Sequence, residues 1–149
     1  VCQGGSVVFD LRNTSPIDVE KTKSFIDLAK AKNLKIKRHN CDFHSIDELK
    51  ILRDLGVDAF NFAPEFSVIQ NEEILYKLTK AEKEIIQDLL FKQTPWNRWI
   101  NDPSDHDKLI KSCLHYIDHD IIDNHLYESE NIIIERIVNK IISILEAVK

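Results

Sequence analysis

Between Leu34 and Phe62 the chain spells out strand, helix and strand with almost nothing to spare. LKIKRH alternates with the two-residue period of a strand. Ser45 and Glu48, three apart, make a capping box for a short helix carrying Ile46, Leu49, Leu52 and Leu55, and Gly56 supplies its left-handed stop. VDAFNF follows at once. A helix between two strands, joined by connections of a few residues, returns the chain in its original direction, so the strands are predicted to lie parallel. The crossover is expected to be right-handed.

The same rhythm extends outward. A first apolar run, Ser6 to Phe9, ends at Asp10, and Ser15, Pro16 and Asp18 mark a helix entry. That helix is predicted to run to about Lys32, with Thr22, Phe25, Ile26 and Ala29 on one face. After APEFS, the positions Ile74, Leu75, Leu78, Ala81, Ile85 and Leu89 predict one long third helix. The rest changes character. TPWNRWINDPSD reads as a loop, Ser104 and Asp107 open a helix to about Ile117, and Ser129 is expected to start a final helix ending at Val148. The organisation read from these signals is three βα units over 1–92 and a helical extension over 93–149.

Alternate side chains of a strand point to opposite faces of its sheet. Val8 and Asp10 share a face, as do Lys35, Lys37 and His39, and Ala59, Asn61 and Ala63. The opposite faces carry Val7 and Phe9, Leu34 and Ile36, and Phe60 and Phe62. An open sheet covered by helices on both sides would need near-continuous apolar strands, which LKIKRH is not. A barrel lumen suits the polar face, so the predicted fold class is α/β, the C-terminal portion of a (β/α)₈ barrel with a helical tail. In such a barrel the working residues project from the C-terminal strand ends. Those positions are Asp10, then His39 and Asp42, then Glu65 and Ser67, with Lys37 and Asn61 lining the same lumen. A ligand phosphate is expected on N–H groups at the helix starts, Ser45 and Ser67.

Composition narrows the function. Twenty-five acidic against 20 basic residues leave no basic stripe for nucleic acid. No apolar run is long enough to span a bilayer and the first residues do not form a secretory leader, so a soluble, cytoplasmic protein is expected. The 3 cysteines, Cys2, Cys41 and Cys113, are scattered and read as free thiols. With no methionine, even at position 1, the chain reads as a piece of a longer protein.

VVFD at a strand end, then RHNCDFHS, then LGVDAFNFAPEFSV before a helix together resemble the non-catalytic, accessory subunit family of class II tagatose-bisphosphate aldolases. The likeness covers Val1 to about Leu90 and, more faintly, the loop of Trp96 and Trp99 and the segment SDHDKLIKSCLHYI. His39, Asp42 and Pro64 match the family's pattern. Cys41 stands where threonine is usual, Phe43 where tyrosine is usual, and HYI at 115–117 replaces a more aromatic run. The resemblance implies a sugar-phosphate ligand, no cofactor on this chain, and assembly with a separate zinc-dependent catalytic chain, so an oligomer is expected.

Each motif has a competing reading. RHNCDFHS invites a metal site, but catalytic zinc takes three convergent protein ligands. His39 and His44 are separated by a loop and a helix cap, so His39 is read as a lumen residue oriented by Asp42. Lys37 is a Schiff-base candidate if desolvated, and otherwise a solvated lysine. His115 and His119 are one helical turn apart without the glutamate of an HExxH motif. Trp96 and Trp99 are read as anchoring the tail on the barrel, with contact to a partner as the competing role. The rival function is a free-standing sugar-phosphate aldolase or isomerase with His39 and Glu65 as acid and base. A scaffold with an inactive lumen is a third.

Overall fold

The computed structural model describes residues 7–149. Of the described residues 66% are helical and 6% lie in strands, so helices do most of the burying. Among the described residues each sheet has two strands. No helix among them is long and apolar enough to cross a membrane.

The chain divides into two compact units. One gathers 7–8, Arg12–Ala63 and Lys140–Lys149. Its centre is the predicted βαβ stretch: β3 (Lys37–Arg38) pairs in parallel with β4 (Ala59–Phe60), Lys37 opposite Ala59 and Arg38 opposite Phe60. α2 (Ile46–Leu55) connects them. Ser45 and Glu48 close the capping box, and Gly56 at φ 102° ends the helix. α1 (Val19–Ala31) starts one residue after its cap, Asp18, whose carboxylate accepts from the Lys21 N–H. Ile26, Leu52 and Val57 are buried together, with Ile17, Ile36, Leu55 and Phe60 packed around them. Arg53 donates to the carbonyl of Ala147, closing an orphan acceptor at a helix end.

The expectation for the first strand needs correction. β1 (Val8–Phe9) pairs with β2 (Arg12–Asn13) across a two-residue turn. Asp10 and Leu11 both have positive φ, 57° and 60°, as a tight primed turn requires. Asp10 therefore occupies a hairpin turn and does not close a parallel strand. Val1 to Ser6 lie outside the described residues, and with them Cys2.

The second unit gathers Phe9–Leu11 and Pro64–Asn139. The predicted long third helix is two helices, α3 (Pro64–Lys77) and α4 (Lys80–Gln93). Thr79 caps α4, and Thr79 and Glu82 form a second capping box. α5 (His106–Cys113) begins after its cap Asp105 and passes into a 3₁₀ turn at Leu114–Tyr116. α6 begins at Asp120 and runs to Val148, so Ser129 is not its start. Ile74, Leu75, Ile86, Leu90, Leu109, Ile110 and Leu114 form the core of this unit. Trp96 and Trp99 pack against that core, in keeping with their packing role.

Candidate functional site

The candidate residues divide between the two units. Within the first, the chain leaving β3 makes a loop, 39–45, wound by left-handed residues at Asn40 (φ 57°) and Phe43 (φ 59°). Left-handed conformations are uncommon outside glycine and persist where surrounding contacts impose them. Here the contacts are specific. The Cys41 N–H donates to the Asn61 carbonyl at 3.0 Å and the Asn61 N–H to the Arg38 carbonyl at 3.0 Å, extending the ladder beyond the strands. Asp42, 1% exposed, accepts from the Ala63 N–H at 2.8 Å. Asn13 reaches across from β2 and donates to the carbonyls of Asn40 (2.9 Å) and Asp42 (3.2 Å).

Four residues of this stretch, Arg38, Cys41, Asp42 and His44, are buried. Arg38 donates to the Thr22 hydroxyl at 3.1 Å. The Asn13 amide nitrogen lies 3.3 Å from His44 Nε2, and His44 Nδ1 lies 3.4 Å from Glu48 Oε2. That last contact is too long to count as a well-formed hydrogen bond, which leaves Nδ1 weakly served. The arrangement suits a neutral imidazole that directs its Nδ1 proton at Glu48 and offers Nε2 to an Asn13 amide hydrogen shared with the Asp42 carbonyl. Burial lowers the His44 pKa against the upward pull of Glu48. The Ser45 backbone N–H, 2.8 Å from Glu48 Oε2, is the main cause of the lowered Glu48 pKa. Burial pushes the Cys41 thiol up to about 11, so Cys41 stays protonated near neutrality and is a poor nucleophile.

The predicted residues of this unit take different positions. Lys37 is exposed and His39 half-buried. Asn61 acts through its backbone, and Asp42 ties the loop after β3 to the chain beyond β4. The N–H and hydroxyl of Ser45 are both engaged by Glu48 at 2.8 and 3.0 Å. A phosphate at that helix start would have to displace a carboxylate, so Ser45 is not an open anion site.

In the second unit, the Asp10 N–H donates to the Trp99 carbonyl at 2.8 Å, and its carboxylate lies 3.1 Å from Lys108 Nζ. Glu65 is buried in the first turn of α3, where a carboxylate is favoured by the helix dipole. Ser67, half-buried, is the fourth residue of α3, past the N–H groups that a helix start leaves for an anion. This corrects its reading as a helix start. The tail histidines brace local structure: His119 Nδ1 accepts from the Ile121 N–H and His125 meets Glu82 at 3.2 Å. Burial lowers the pKa of His115.

Sequence reasoning passed over Arg38, His44 and Asn13 as working parts. Arg38 shares strand parity with Ile36, and a charge on an otherwise apolar face was the available signal. Asn13 gave none, since its partners lie 27 to 31 residues away. Among the described residues no group of three or more His, Cys, Asp or Glu could hold a metal ion. No family model, no curated protein and no solved structure matches the chain.

Proposed function

We propose that this chain is the C-terminal portion of a (β/α)₈ barrel serving as the accessory, non-catalytic subunit of a tagatose-type ketose-bisphosphate aldolase. It acts in the cytoplasm in carbohydrate metabolism and stabilises or activates a separate zinc-dependent catalytic chain. The sequence likeness at RHNCDFHS, with His39 and Asp42 three apart and Pro64 downstream, carries this reading. The geometry supports it in one respect. The loop holding His39 follows a parallel β3–β4 pair and is braced by Asp42 and Asn13, as a loop that positions a ligand must be. His39 itself is half-buried and able to meet a sugar phosphate.

The test measures cleavage of tagatose bisphosphate by this chain, by a cognate catalytic subunit and by their mixture. The reading expects no metal-dependent cleavage by this chain alone and a longer active lifetime or higher rate in the mixture, since binding to the folded partner stabilises it by mass action. Turnover by this chain alone, abolished by His39→Ala, would replace this reading with the independent enzyme.

A further inference from the structure

α6 has two apolar stripes where a surface helix needs one. Ile122, Ile133, Ile144 and Ala147 lie on its buried side. On the other side Tyr127, Ile134, Val138, Ile141 and Leu145 are 83%, 52%, 45%, 38% and 58% exposed. With Asn131 and Val148 they recur at alternating spacings of four and three residues over three heptads. This is the a/d seam of a coiled coil: Asn131, Val138 and Leu145 at a, Tyr127, Ile134, Ile141 and Val148 at d. A groove of about 430 Å³ opens at the end of this seam, lined by Ile142, Leu145, Glu146, Val148 and Lys149.

The flanking charges select the occupant and its direction. In a parallel pair of identical helices the flanking positions would set Asp123 against Glu128 and Glu130 against Glu135, all like-charged contacts. In an antiparallel pair Glu128 of each copy faces Lys149 of the other. Ile134 then lies beside Leu145, and Val138 beside Ile141. The repulsions of the parallel arrangement are gone, and one self-complementary patch closes a two-fold dimer.

We propose that the outer face of α6 is the self-association surface of this chain, pairing antiparallel with α6 of a second copy so that Ile134 of one seats in the groove beside Leu145 of the other. This rests on α6 alone and is independent of the aldolase reading.

Sedimentation of the full 149-residue chain from micromolar to sub-millimolar concentration tests it. A reversible monomer–dimer equilibrium is expected. Ile134→Glu and Leu145→Lys should each weaken the dimer about a hundredfold, with helicity unchanged because both positions are exposed in the single chain. Both substitutions on one chain should restore affinity to within about tenfold, since antiparallel pairing then opposes the new carboxylate and ammonium. A chain that stays monomeric throughout, whether or not it binds vesicles or another protein, overturns the proposal. So does a dimer indifferent to either single substitution, and failure of the double variant to recover overturns the antiparallel pairing.

Discussion

The loop after β3 and the helical layer of α3, α4 and α5 bury side chains to opposite ends. The loop buries Asp42 and His44 beside Cys41 and next to Arg38 of β3, whereas the layer buries Ile74, Leu75, Ile86, Leu90, Leu109 and Ile110. Apolar burial contributes about 25 cal/mol per Å² and asks only for close packing. Buried polar groups cost free energy unless each finds a partner, and when they do they fix one arrangement. The layer therefore gains stability from packing, and the loop gains a single arrangement from its paired polar groups.

The largest expected effect lies in the layer. Leu109 is fully buried, and Leu109→Ala should cost about 2–5 kcal/mol through lost burial and the cavity left behind. Denaturant unfolding measures it. In the loop, Asp42→Ala leaves the Ala63 N–H without its acceptor and should cost about 1–3 kcal/mol. If Asp42→Ala proves costlier than Leu109→Ala, the loop is a stability element and the contrast fails.

His44 sharpens the comparison through pH. Burial lowers its folded pKa below the ordinary 6.5, so the unfolded chain binds the extra proton first. The stability linked to neutral His44 is fully present above 6.5 and declines as pH falls from there through the folded value. His115 is exposed, so the desolvation that lowers its pKa adds only weakly in the same direction. His44→Gln should flatten part of this decline without abolishing it. An unchanged slope in urea unfolding followed across this window would show that the loop does not exclude the proton.

The smallest effect belongs to the break between α3 and α4. Thr79→Ala removes the cap and should cost about 1 kcal/mol. A change within error in thermal unfolding would mean that packing of α4, and not its cap, sets the break.

Legibility followed the range of the interactions. α2 was readable at both ends because a capping box and a left-handed glycine are local signals. The α3–α4 break was equally local, through Thr79 and Glu82, but apolar periodicity running from Ile74 to Leu89 masked it. Ser129 resembled a helix start, yet it is fully buried inside α6, whose apolar positions begin at Ile121 and Ile122. The hairpin at Asp10 and Leu11 lacks the glycine or asparagine that ordinarily announces such a turn. The loop's brace was invisible for a different reason: Asn13 and its partners meet only after the chain has folded.

On the proposed reading, the loop after β3 positions a sugar phosphate through His39. Calorimetric titration of tagatose bisphosphate into the chain and its His39→Ala variant tests this directly, with thermal unfolding of both as control. The account predicts saturable binding that weakens at least about tenfold in the variant, at an unchanged unfolding temperature. Equal affinity in the two proteins, or no binding to the parent chain, would contradict it.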